Sequence, residues 1–263
     1  MKVISFKNIR IVILLSLLAL AAIYTQDQRL NTTSWYKPIE VIIFPINGDG
    51  SAQTERYIQQ LSIKNFQDID TFFADEAARY HLVAEQPIIS TLGLTINKHP
   101  PAPPTDRNAI FKVMLWSIQL RYWAYSNTPD DKSNKNRIRL YVLYHQGADN
   151  QALDHSLGLQ KGLIGVIHAY ADPIQNSQNA LVMAHEILHT VGASDKYADQ
   201  NNQPIYPVGY AKPTQVPLYP QRFAEIMAGR IPLSQTQSTI PKTLRFSLIG
   251  ETTAREINWV STP

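Results

Sequence analysis

Cysteine is absent from all 263 residues. That excludes a zinc site built from cysteine thiolates, a thiol nucleophile, a lipoprotein anchor and any disulfide, and leaves stability to the core alone. A chain of this length with 44% apolar residues is large enough to bury such a core. An excess of either charge is missing too: 24 basic residues against 21 acidic ones leave a net charge of +3. The basic residues are scattered, with no aromatic-interleaved stripe, so nucleic acid is not an expected partner. No Walker loop, dinucleotide fingerprint or internal repeat occurs. Histidine is sparse, at seven residues, and two of the seven stand four apart.

Those two are His185 and His189, in the run His185-Glu186-Ile187-Leu188-His189. Residues four apart on a helix lie one turn above each other on one face. Both imidazoles can then reach one Zn²⁺, and the glutamate between them is placed to take a proton from an attacking water. Leu181-Val182-Met183-Ala184 leads in and Ile187-Leu188 sits inside, which suits a helix buried against a sheet. Gly192 follows three residues after His189 and provides a left-handed helix end at little steric cost. Such a turn doubles the chain back, so Asp195 can meet the same metal as a third ligand. The plainer alternative for Asp195 is a loop aspartate that caps a turn or pairs with Lys196.

The pattern His185, Glu186, His189, Gly192, Asp195 resembles the signature of the metzincin clan of zinc peptidases, HExxHxxGxxH, in its minority form ending in aspartate. The resemblance implies a second hallmark, a methionine in a tight turn beneath the metal. Phe223-Ala-Glu-Ile-Met227-Ala-Gly229-Arg230 fits that description, which makes Met227 a structural residue of the site. It also implies a metzincin-like catalytic domain of mixed α/β (α+β) class: a twisted mixed sheet, a backing helix and an active-site helix. Residues 193–263 would then form a small irregular C-terminal subdomain. In such domains an edge strand borders the substrate cleft, and Leu157-Gly-Leu-Gln160 is the candidate here. A competing zinc plan takes its third ligand from a glutamate on a second helix, with Glu225 as the candidate.

The expected activity is that of an exported zinc-dependent endopeptidase acting on a peptide or protein substrate. Two alternatives stand beside it. One is a binding or scaffold protein with a structural zinc site, closed by His155 or a loop tyrosine. The other is a zinc hydrolase of non-peptide amides such as cell-wall material. Tyr197, Tyr206, Tyr210 and Tyr219 lie in the long loop after the motif, and any of them can offer a hydroxyl to an oxyanion.

Export is read from the N-terminus. Lys2, Lys7 and Arg10 precede the apolar run Ile11–Tyr24, which is interrupted only by Ser16. Residues 1–25 are either a signal peptide, with Ala19-Leu20-Ala21 as a cleavage site, or a transmembrane anchor over 9–25 of a periplasmic or extracellular protein. Residues 26–38 read as a tether and 39–192 as the N-terminal catalytic subdomain.

Along that subdomain, strands are expected at 39–44, 87–96, 138–144 and 163–170, and helix over most of 52–81. A proline loop spans 99–104. A helix over 107–125 is expected to turn Ile110, Met114, Leu115, Ile118 and Tyr122 toward the core, with Trp116 and Trp123 packing there too. A short helix is expected over 249–259.

Overall fold

The strands of this protein are apolar on both faces, the pattern of a sheet covered on each side. The computed structural model describes residues 6–104, 106, 109–129, 137–147, 156–160 and 162–260. In chain order the elements are α1 (Phe6–Thr33), β1 (Ile39–Asn47), α2 (Ala52–Gln60), α3 (Gln67–Arg79), β2 (Ile88–Leu92) and α4 (Ile110–Asn127). Then come β3 (Arg137–His145), β4 (Leu157–Leu159), β5 (Ile164–Tyr170), α5 (Asn176–Thr190) and α6 (Glu251–Glu256).

The five strands form one mixed sheet in the order β2-β1-β3-β5-β4. The first four run parallel, and β4 pairs antiparallel with β5 at the edge. Alternation along β1 sends Val41 and Ile43 to one face and Ile42, Phe44 and Ile46 to the other. The first face packs against α3 and α5 through Ile69, Phe73, Ala184 and Leu188. The second packs against α4 through Trp116, Leu120 and Ala124. The fold is mixed α/β, as expected.

Several expectations need adjustment. β1 continues through Pro45 to Asn47, and β2 ends at Leu92. The helical stretch after β1 breaks at Leu61–Ser62, where Leu61 turns extended and a 3-10 turn (Ile63–Phe66) restarts the helix. α4 lies with its expected face outward. Ile110, Met114, Leu115, Ile118 and Tyr122 are all exposed, and the opposite arc of Trp116, Leu120 and Ala124 is buried. Both arcs are apolar, so periodicity alone cannot orient the helix. The flat rings and the small alanine decide it. Trp123 meets Tyr141 edge-on at 4.8 Å, and the Trp116 indole N–H donates to Pro101 O, tying the proline loop down.

The transmembrane reading of the N-terminus is corrected. Among the described residues no helix is long and apolar enough to cross a membrane. The physical reason is length. Ile11–Tyr24 is 14 residues, about 21 Å of helix at 1.5 Å per residue, against a hydrocarbon core of about 30 Å. Arg10 and Asp27 bracket that run in the sequence.

The residues after 192 contain little regular structure, yet Ile226, Met227, Leu244, Ile249, Ile257 and Trp259 join the same core as α3 and α5. Two long-range bonds fasten this segment: the Trp35 indole donates to Ile257 O at 2.6 Å, and Ile249 N donates to Glu76 at 2.6 Å.

Candidate metal centre

α5 is fixed at both ends before its side chains matter. Asp172 caps the 3-10 turn that enters it, accepting from Ile174 N. Asn179 in the first turn clamps the end of β5, accepting from Tyr170 N and donating to Tyr170 O, both at 2.9 Å. At the other end Gly192 takes φ +111°, a conformation a side chain would strain, while Ala193 N closes back on Leu188 O. Met183, Ala184, Ile187 and Leu188 bury the inner face, leaving His185 and His189 on the other.

Each imidazole is oriented by a carbonyl. His185 Nδ1 lies 3.0 Å from Ile226 O, and His189 Nδ1 lies 2.9 Å from Ala193 O. A carbonyl only accepts, so each Nδ1 carries the proton and each Nε2 presents a lone pair. The two Nε2 atoms are 3.0 Å apart, and Asp195 Oδ1 lies 3.1 Å from one and 3.2 Å from the other. Three acceptors at this spacing repel one another unless a cation lies among them. Tetrahedral ligation with bonds near 2.0–2.1 Å puts ligand atoms about 3.3 Å apart. The triangle therefore fits a small divalent metal, and His185, His189 and Asp195 form a group able to hold one.

The charges of the ion-free cluster express the same demand. Burial would lower His185, but Asp195 and Glu186 outweigh it and hold the imidazole up. Burial would raise Asp195, but both histidines outweigh it and hold the carboxyl well below its usual range. Glu186 is buried, and burial pushes its carboxyl up against the pull of His185 and His189. Its Oε2 has no hydrogen-bond partner, and a buried carboxylate oxygen left alone is costly.

Asp195 does not pair with Lys196. The Lys196 ammonium is buried and donates to Ser194 O, Ser194 Oγ and Glu256 Oε2 at 2.7–2.8 Å. Glu256 also accepts from Ser194 N and Ser194 Oγ. Burial alone would raise Glu256, and Lys196 with Ser194 brings it below its ordinary value. This clamp from α6 holds the residues on either side of Asp195. Lys196 N then donates to Met227 O at 3.0 Å.

Met227 is fully buried in a tight turn, where Ala228 N and Gly229 N both return to Glu225 O at 3.0 Å and Gly229 takes φ +68°. The competing plan with Glu225 as a ligand does not match this geometry. Its carboxylate is fully buried and accepts from Ala228 N, Gly250 N and the Thr253 hydroxyl. Burial pushes it up, against Thr253 and Gly250. It pins the turn to α6.

Of the four loop tyrosines, Tyr197 reaches the cluster. Burial followed by the charges of Asp195 and Glu186 pushes its hydroxyl up to about 12. Tyr210 and Tyr219 bond to each other at 2.7 Å, and Tyr206 meets the Tyr210 ring. His145 and His168 pair at 3.0 Å outside the cluster; His155 lies outside the described residues.

The segment proposed for the sheet edge does form its outermost strand, β4, and packs against α5. Gly158 makes that approach. A Cβ there would lie 2.4 Å from Glu186 O and 3.2 Å from Glu186 Oε2. Gly158, Lys196, Glu225 and Glu256 escaped sequence reasoning as supports of the site, because nothing local distinguishes a glycine in a strand or a loop charge from its neighbours. The chain matches no known protein family and no curated protein.

Proposed function

We propose that this chain is an exported zinc-dependent endopeptidase of metzincin type. One observation carries the reading: three lone-pair atoms converge beside a buried carboxylate oxygen that has no partner. A zinc ion held by His185, His189 and Asp195 supplies Lewis acidity, which lowers the pKa of water and polarises a carbonyl. Glu186 accepts the proton of an attacking water and passes it to the leaving amine. Its burial raises its basicity toward the working range of a general base. The outer edge of β4 receives an extended peptide through backbone hydrogen bonds, without demanding a sequence. Tyr197, whose hydroxyl feels the charges of Asp195 and Glu186, donates toward the carbonyl oxygen as charge develops there. Gly192 and Met227 are structural: one turns the chain back toward the histidines, the other floors them.

A purely structural zinc site needs four protein ligands. Among the described residues three histidine or carboxylate ligands meet here, and the fourth position is where the two readings part. The N-terminal segment, with its basic start and apolar run, supports export.

The test is Glu186→Ala. The variant keeps its circular dichroism and binds one zinc per chain, but loses cleavage of an unstructured protein such as casein. Retained cleavage would remove Glu186 from the reaction. Hydrolysis of peptidoglycan in place of casein would move the substrate class to non-peptide amides.

A further inference from the structure

The chain that follows the metal cluster is basic on its surface and nothing else. Between Gln200 and Gly250 stand Lys212, Arg222, Arg230, Lys242 and Arg245, and a single acid, Glu225. Glu225 is fully buried and directs its oxygens to Ala228 N, Gly250 N and the Thr253 hydroxyl. The strand packed against Glu186, β4, carries no charge. The exposed Asp199 stands on the side of Tyr197, where it acts on that hydroxyl. Asp195 and Glu186 balance the charge of a divalent metal, so the surrounding residues set the sign of the field about it.

One of the five cations is placed unlike the others. Lys212, Arg222, Lys242 and Arg245 are exposed, whereas Arg230 is half-buried. Lys212 and Arg222 lie over the Phe223 ring at 6.0 and 5.4 Å. Among the described residues the Arg230 guanidinium makes no hydrogen bond, ion pair or ring contact. A cation drawn partly out of water without an acceptor calls for an anion, and the guanidinium fork matches a carboxylate.

The backbone of Arg230 is held on both sides. Gly229 N bonds to Ile226 O at 3.2 Å, and Ile231 pairs with Thr239. Ile226 O is the carbonyl that orients His185, at 3.0 Å from Nδ1. Standard bond lengths then put Arg230 Cα within about 11 Å of that ring. An arginine side chain adds about 6–7 Å of reach, and an extended peptide advances about 3.3–3.6 Å per residue. On the peptidase reading, on which this rests, we infer that Arg230 is a specificity-determining residue, which receives a carboxylate of the bound peptide about one to three residues from the scissile bond. Aspartate or glutamate side chains and a free chain end offer the same chemistry, and the assay separates them.

Full-length zinc-loaded protein is given alanine-rich peptides with both ends blocked, in which one glutamate is walked along the chain, and the matched glutamine series. A third series carries glutamine and a free C-terminus. At one position glutamate is expected to raise kcat/KM about tenfold or more over glutamine, the effect of a hydrogen bond to a charged group. Arg230→Gln should bring that ratio to about 1, Arg230→Lys should keep part of it, and Arg230→Glu should favour lysine instead. Lys242→Gln, the same loss of charge outside the turn, should leave the ratio unchanged. Circular dichroism and zinc content check each variant. A preference confined to the free C-terminus and lost in Arg230→Gln supports the carboxylate contact and makes the chain end its source. Equal cleavage of glutamate and glutamine peptides, a preference that survives Arg230→Gln, or one lost equally in Lys242→Gln overturns the inference while the peptidase reading stands. If no peptide is cleaved, the peptidase reading fails and binding decides Arg230. Anisotropy of a fluorescent glutamate peptide should then show binding about tenfold weaker in Arg230→Gln, and absent or unchanged binding overturns the inference.

Discussion

Replacing Gly158 by alanine adds one methyl group between β4 and α5, and the structure has no room for it. The new carbon would lie 2.4 Å from the Glu186 carbonyl oxygen and 2.8 Å from His189 Cβ. Neither atom can swing away, since one is backbone and the other is fixed to it. Non-bonded carbons settle near 3.5–4.0 Å, so strand and helix must part by about 1 Å. Overpacking of this kind costs about 1–3 kcal/mol. In a chain this long, that predicts a melting point lower by roughly 2–12 °C. The displaced residue is Glu186 itself, the proposed general base, and a misplacement of about 1 Å at a reacting group costs on the order of 100-fold in rate. Thermal melts in EDTA read the packing, and kcat/KM on a peptide reads the site. Gly147→Ala is the control, because among the described residues its new carbon would meet only Tyr170, with Cδ1 at 3.5 Å. A Gly158→Ala protein that melts within about 1 °C of wild type would refute the close approach of β4 to α5.

Three further perturbations probe the frame around the ligands. Lys196→Met breaks the clamp beside Asp195, and zinc affinity by calorimetry should fall about 10–100-fold, the usual effect of losing an outer-shell partner. Glu225→Ala orphans the buried Gly250 amide and Thr253 hydroxyl at about 1–3 kcal/mol each, which should lower the urea midpoint at unchanged slope; Glu225→Gln, retaining one acceptor oxygen, should lose less. Glu256 is held below its ordinary value in the folded state, so its contribution is present above the unfolded carboxylate range and fades as pH falls through the folded value. The stability gap between wild type and Glu256→Gln should therefore be open at neutral pH and close in acid.

What the sequence disclosed follows from the range of the interactions involved. His185, Glu186 and His189 share one helix, so four residues of spacing suffice to place them. Asp195 is legible because a glycine turn of fixed geometry links it to that helix. The strands are legible as apolar runs, but their ends are not, since Pro45 continues β1 and β2 stops at Leu92. The orientation of α4 was not legible, because two apolar arcs compete and the sheet chooses the one with flat and small side chains. Nor were the supports: Glu256 lies 61 residues beyond Asp195, and Glu225 meets Thr253 only when the irregular C-terminal segment has folded. The N-terminal run was legible as apolar, yet its extent decides against a bilayer crossing.

The dependence of Asp195 on α6 also sets an order of events. Both histidines leave the ribosome well before Thr253 and Glu256, the last residues that steady the turn and the loop. A growing chain thus carries an imidazole pair but no finished triangle and, on the proposed function, stays inert while it is being made. The final helical turn also seats Ile257 and Trp259 in the interior, so the proposed metal triangle and the hydrophobic core are completed by one late event.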